Sequence, residues 1–173
     1  MTAMDRRTFL RGALAAAALP LLGRSARAAG LPPATVALLE SSPYVYVSPL
    51  RKDGRESTCH GEVWFAFLDG QVVLITARER WKARSVASGS GMARLWVGDH
   101  GRWKGVIGKN EEFRQGPSFD ARARIVKDDA LLDRMIAAYE KKYPDEIGKW
   151  RDRFRSGFAS GERVIVVYEP LSS

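Results

Sequence analysis

From residue 44 to residue 168 the apolar positions fall mostly at alternate residues, the period of a strand laid over a core. Tyr44 to Leu50 alternate and carry aromatic and β-branched side chains, which predicts a strand. The Lys52-Asp53-Gly54 turn returns the chain through a second strand, Glu56 to Leu68, and Asp69-Gly70 leads into a third, Gln71 to Thr76. In the second strand Val63, Phe65 and Phe67 face one way and Trp64, Ala66 and Leu68 the other. Both faces are apolar, so both need cover: a barrel interior on one side, and a helix or a second subunit on the other. Met92 to Gly98 forms a fourth strand with Ala93, Leu95 and Val97 inward and Arg94 outward. Phe119 to Val126 alternates Phe119, Ala121, Ala123 and Ile125 against Asp120, Arg122 and Arg124, and Glu162 to Tyr168 closes the chain as a strand apolar on both faces. The stretch from Asp99 to Ser118 is rich in glycine and charge, with Trp103 to Ile107 a short edge strand.

Helices interrupt this pattern at Pro33 to Ser41 and at Arg78 to Ser88. A third begins at Asp129, carries Leu132, Met135, Ile136, Tyr139 and Tyr143 on one stripe, and is terminated at Pro144, and a more polar one spans Asp145 to Arg155. The sum is a mainly β (α+β) fold, a small antiparallel barrel with a few helices.

Ahead of the barrel lies a different pattern. Arg6, Arg7 and Arg11 precede an alanine-rich apolar run from Gly12 to Leu22, and Ala26-Arg27-Ala28 places small residues where a signal peptidase needs them. Paired arginines before such a run read as a twin-arginine export signal, residues 1–28, handled by the Tat translocase, with the mature domain at 29–173. The run is well short of the roughly 20 residues that span a bilayer, so a permanent anchor is not expected. The expected location is the periplasm or the cell exterior. This route carries folded proteins, and a cofactor inserted before export is a common reason for using it.

Composition narrows the function classes. Taking the signal's five arginines and Asp5 from 28 basic and 20 acidic residues leaves 23 and 19, a net charge of +4, which removes the main support for a nucleic-acid role and suits a small anionic ligand. Cys59 is the one cysteine, so an intramolecular disulfide and a multi-cysteine zinc site are both excluded. No Ser-His-Asp, Cys-His or metal-spaced histidine pattern is present.

The segment that points to chemistry is LITARERWKAR, where a strand runs into a helix. Thr76 and Glu79 have capping-box spacing, which makes Thr76 the expected N-cap, and a helix N-terminus with free N–H groups receives phosphate. Arg78 and Lys82 sit one helical turn apart on one face, as do Arg80 and Arg84, opposed by Glu79 alone. Such a face is either solvated or placed beside an anion.

At these residues the chain resembles the FMN-binding split-barrel superfamily, which includes the pyridoxamine 5'-phosphate oxidases and the deazaflavin-dependent reductases. The likeness runs through YVYVSPLRKDGR, GEVWFAFLDG, VLITARERWKARSV, RLWVGD, FDARARIVKD, AAYEKKYP and the final strand. It implies an antiparallel split β-barrel, a homodimer with its cofactor at the subunit interface, and a phosphate motif of threonine followed six residues later by lysine. Thr76 and Lys82 have that spacing. By resemblance Lys82 contacts the cofactor phosphate, Thr76 supports it, and the backbone around Val63 and Trp64 edges the isoalloxazine ring. Trp81 stands where the oxidases carry an arginine beside the lysine, and GEVWFAF lacks their second-strand Arg and Lys, so oxidation of pyridoxamine phosphate is not the implied reaction.

The resulting expectation is an exported oxidoreductase using FMN, or alternatively a deazaflavin coenzyme, on an unidentified small molecule. The candidate cofactor-binding residues are Val63, Trp64, Thr76, Arg78, Lys82 and Arg84, with no catalytic side chain or metal ligand identified. A flavin does the hydride chemistry itself, so few catalytic side chains are needed. The alternative is a non-enzymatic flavin- or haem-binding module on the same scaffold. Some split-barrel relatives hold haem through histidine, but His60, in Cys59-His60-Gly61, reads as a surface or packing residue. Trp64 reads as core filling, and Arg94, Arg122 and Arg124 as an exposed strand face.

Overall fold

The computed structural model describes residues 30–105 and 108–171, and the export segment with Arg6 and Arg7 lies outside them. The chain order is α1 (Pro33–Ser41), β1 (Val45–Pro49), β2 (Glu62–Val63), β3 (Ala66–Leu68), β4 (Gln71–Ala77), α2 (Trp81–Ala87), β5 (Met92–Val97), β6 (Lys104–Gly105), β7 (Gly108–Lys109), a 3-10 turn (Glu112–Gln115), β8 (Ser118–Val126), α3 (Asp129–Lys142), α4 (Pro144–Ile147), α5 (Arg151–Ala159) and β9 (Arg163–Pro170).

Seven strands form one antiparallel sheet in the order β2-β1-β5-β8-β9-β4-β3. Its two edge strands, β2 and β3, are separated in the chain by Trp64 and Phe65 alone. Three Cα steps of about 3.8 Å cannot span more than about 11 Å, so the edges must approach and the sheet must curl into an antiparallel split barrel. The strand expected from Glu56 to Leu68 is therefore broken: Glu56 makes an isolated bridge to Leu50, Val63 pairs with Val45, and Ala66 pairs with Val73. The crossover at Trp64-Phe65 cannot pair with both edges at once, which is why alternation persists while the ladder stops.

The expected alternation decides the layers. Val63, Phe65 and Phe67 join the interior with Val47, Leu74, Leu95, Ala121 and Val166, while Trp64, Ala66 and Leu68 join an outer cluster under the helices with Met135, Ile136, Tyr139 and Phe158. In β9, Val164, Val166 and Tyr168 point inward, and Ile165 and Val167 point to α3 and α5. The second apolar face is thus covered by this chain's own helices, and it gives no support to a second subunit.

Some boundaries fall where the sequence sets them and others differ, each for a physical reason. Asp128 caps α3 by accepting the Leu131 N–H at 3.0 Å. Pro144 ends α3 and also starts α4, since a proline at the first helical position forfeits no hydrogen bond. The helix expected over Asp145–Arg155 is split between α4 and α5. Ile125, placed on the inward face by alternation, is 40% exposed, near the end of β8. The Asp69-Gly70 turn holds for the expected reason, with positive φ at both residues, 52° and 78°.

The excursion between β5 and β8 packs over the outer face of β1 through Tyr46, Trp103 and Phe113. The Tyr46 hydroxyl accepts the His100 N–H and donates to the Gly101 carbonyl, each at 2.8 Å. Trp103 donates its backbone N–H to Glu62 Oε2 at 3.0 Å, and Asn110 donates to the His100 carbonyl at 2.7 Å. Within it, β6 and β7 form a small hairpin rather than one edge strand, and Ile107 falls outside the described residues.

Candidate functional site

The strand leading to the basic segment runs one residue further than its spacing predicts. Ala77 still pairs with Arg163, and the Arg78 N–H donates to the Glu162 carbonyl at 2.8 Å, so α2 begins only at Trp81 with Arg80 as its N-cap. Thr76 is therefore a strand residue paired with Val164, and the capping box with Glu79 does not form. The ladder to β9 wins because it satisfies the backbone of Thr76 and Ala77, which a helix starting there would leave to be capped.

This displacement sorts the cations. A cleft of about 840 Å3 opens where β2, the crossover, the end of β4 and α2 meet, and Val63, Trp64, Thr76 and Lys82 all line it. Arg78 and Arg84 do not: Arg78 is exposed and donates from Nε to the Gly161 carbonyl at 2.9 Å, and Arg84 is exposed on α2. Arg80, from the turn before α2, does line it. Opposite stand Arg102 and Lys104, brought there by the docked excursion, and Tyr139, Trp150 and Phe154 from the helical layer. Glu62 and Glu146 are the two carboxylates on the wall against four cations.

Lys82 is the cation best placed to hold an anion. Its Nζ lies 4.4 Å from the centre of the Trp81 ring, and no carboxylate lies within 4 Å among the described residues. Burial lowers its pKa from 10.5 to about 8, partly offset by Glu62 and reinforced by Arg80. Gly61 keeps the space open, since a Cβ there would meet Lys82 Nζ at 3.2 Å. A half-buried ammonium with unused donors, sharing its cleft with Arg80, Arg102 and Lys104, has the chemistry of a phosphate subsite. Trp64 both packs and lines: it stacks on Tyr143 with centroids 4.4 Å apart, and its carbonyl accepts the Tyr139 hydroxyl at 3.0 Å. That anchoring gives the wall beside it a fixed shape.

Neither histidine of the chain lines this cleft. His60 is buried against Trp103, its Nδ1 is 2.6 Å from Ser48 Oγ, and its Nε2 is 3.5 Å from Arg114 Nη2. Arg114 in turn pairs with Glu56 at 3.0 Å and with Glu111. Arg94 is held by Asp120 through two bonds of 2.8 and 3.1 Å, Arg124 reaches Gln71, and Arg122 is exposed, all away from the cleft.

Burial, and then the Arg114 charge, lower the pKa of His60 from 6.5, against the opposing pull of Glu56 and Glu111. The folded state therefore binds a proton less readily than the unfolded state. The His60 contribution to stability is full above pH 6.5 and is lost as pH falls from there through the depressed value. In urea titrations at pH 7 and pH 5 the midpoint is expected to fall with acidity, and that fall to be smaller in His60→Gln. Equal falls would assign the acid sensitivity to other groups.

With the geometry in place, the chain can be set against known proteins. The family model described as pyridoxamine 5'-phosphate oxidase matches residues 31–170. Comparison with the curated proteins finds no match. Among solved structures, a conserved hypothetical protein from Mycobacterium tuberculosis is similar at 19% identity and a TM-score of 0.53, over 82% of this chain and 81% of that one. A haem storage protein from Vibrio cholerae is similar at 13% identity and a TM-score of 0.53, over 83% and 92%. General stress protein 26 from Bacillus anthracis is similar at 11% identity and a TM-score of 0.50, over 78% and 84%. These likenesses establish a shared fold.

Proposed function

Since this chain belongs to the pyridoxamine 5'-phosphate oxidase family, we propose that it is an exported split-barrel flavoprotein that carries out a redox reaction on a small molecule. FMN is the proposed cofactor and a deazaflavin coenzyme the alternative. The observation that carries the reading is the convergence of Thr76, Lys82, Val63 and Trp64 on one cleft whose cations outnumber its carboxylates.

The residues present fit such a group. Lys82 would hold its phosphate, with Thr76 at the strand end beside it and Arg80, Arg102 and Lys104 raising the local positive potential. The backbone at Val63 and Trp64 would edge the ring system, where the Tyr139 hydroxyl holds the Trp64 carbonyl and Tyr143 stacks on the Trp64 ring. A flavin, when bound, supplies hydride transfer. The protein's part is then to bind, orient and exclude water. Trp64, Trp81, Trp150 and Phe154 give the cleft an apolar lining suited to a flat ring.

A haem reading gains little from this geometry, because no histidine is available on the cleft wall and both His60 ring nitrogens face protein groups. The proposed partners are a small-molecule substrate and a second copy of the chain, with the twin-arginine route delivering the loaded protein to the periplasm or the exterior. The test is the visible absorption spectrum of the full chain purified from that route. Bands of a flavin or deazaflavin, released on denaturation at up to one per chain, are the expected result. A colourless protein that also fails to take up added FMN would overturn the reading.

A further inference from the structure

A second pocket, of about 440 Å3, lies between α1, the start of β3 and the end of α3. It shares no lining residue with the cofactor cleft. We propose that this pocket is a ligand site for a small organic carboxylate with an apolar body, anchored by Lys142.

Lys142 ends α3 with its side chain turned inward. Its Nζ donates to the Leu39 carbonyl at 3.1 Å and lies 3.6 Å from the centre of the Phe65 ring. No carboxylate lies within 4 Å of it among the described residues. An ammonium has three protons to donate: the Leu39 carbonyl takes one and the Phe65 ring face engages the charge from another side, which leaves donor capacity toward the pocket. Burial alone lowers its pKa from 10.5 to about 8, so the positive charge is held there at a cost that an incoming anion would offset.

The rest of the lining selects the kind of anion. Leu39, Phe65, Phe67 and Ala138 give an apolar wall, and the volume falls in the range of small-molecule sites. A single half-buried cation matches one negative charge. Phosphate groups are ordinarily held by several donors or by a planar guanidinium fork, and none of the residues lining this pocket is an arginine. Exposed Lys141 at the rim adds attraction, and exposed Glu40 beside it disfavours a second negative charge on the ligand. A monocarboxylate whose hydrocarbon part lies on Phe67 and Ala138 satisfies each of these conditions.

The test uses the full chain and 2-naphthoate as the probe, titrated by its fluorescence, with 2-naphthalenemethanol as the uncharged analogue. The expected result is saturable binding at one site per chain that excess FMN leaves unchanged. Lys142→Met is expected to weaken it roughly tenfold or more, and loss of the probe's charge to do the same. Ala138→Phe, which fills the pocket and keeps the lysine, serves as a second variant and is expected to abolish binding. Absence of saturable binding, equal binding in both variants, or displacement by FMN would each overturn the proposal. Only the last would place the probe in the cofactor cleft, so the two sites are told apart.

Discussion

Lys82→Ala is expected to weaken FMN binding by about 2–3 kcal/mol, roughly 30- to 150-fold in Kd, measured by fluorescence-quenching titration. The magnitude follows from where the ammonium sits. Lys82 is half-buried with no carboxylate within 4 Å, so a phosphate would be its principal counter-charge, and a charge-assisted bond in a partly dehydrated site is stronger than one at the surface. Arg84→Ala makes the contrast, because that guanidinium is exposed and off the cleft, and its removal is expected to change Kd by about fivefold at most. The lowered pKa of Lys82 adds a pH signature. In the free protein the amine loses its proton near pH 8, so affinity is expected to fall as pH rises through that value. Unchanged FMN retention in Lys82→Ala would remove Lys82 from the phosphate subsite.

The largest effect on stability is expected at Phe65→Ala, a loss of about 3–5 kcal/mol and a drop in Tm of roughly 10–15 °C. Phe65 is fully buried in the barrel interior at the point where the chain crosses between the two sheet edges. Tyr143 clamps that point: its hydroxyl accepts the Phe65 N–H at 3.1 Å and donates to the Pro43 carbonyl at 2.8 Å. The substitution leaves a cavity where the backbone is least free to collapse into it, since no sheet partner moves with the crossover. Phe67→Ala, two residues on and only partly buried, is expected to lose less than half as much. Equal losses would mean that the crossover has no special rigidity. Differential scanning calorimetry with chemical denaturation reads both variants.

Much of the barrel is readable from alternation because burial acts on side chains one at a time. Each inward residue of β5 and β9 is apolar whichever strand lies beside it, so strand existence and facing survive ignorance of topology. The split of Val63, Phe65 and Phe67 from Trp64, Ala66 and Leu68 is the clearest case, holding even where the ladder breaks. Alternation carries no information about which edge a strand joins. The interruption at Trp64-Phe65 was therefore invisible, and so was the choice between a helix and a second subunit as the cover of the outer face.

The candidate site divides along the same line. Thr76 and Lys82 were singled out by the resemblance, whose motif sets a lysine six residues after a threonine, and both line the cleft. Arg78 was grouped with Lys82 on the premise that the helix starts after Thr76, and the extra pairing of Ala77 with Arg163 keeps it off α2, while Arg84, two residues after Lys82 on the same helix, faces another way. Arg102 and Lys104 gave no signal at all. They reach the cleft because Tyr46, Trp103 and Asn110 dock a glycine- and charge-rich excursion whose own sequence has no period to read.

What the residues decide unaided is the presence of most strands and helices and the face each residue presents, because these depend on interactions within a few positions of the chain. Tertiary structure alone decides the closure of the barrel, the true start of α2, the company Lys82 keeps and the separate burial of Lys142. Each of those depends on which distant backbone groups find partners first, and hydrogen-bond satisfaction between segments far apart in the chain leaves no mark on local pattern.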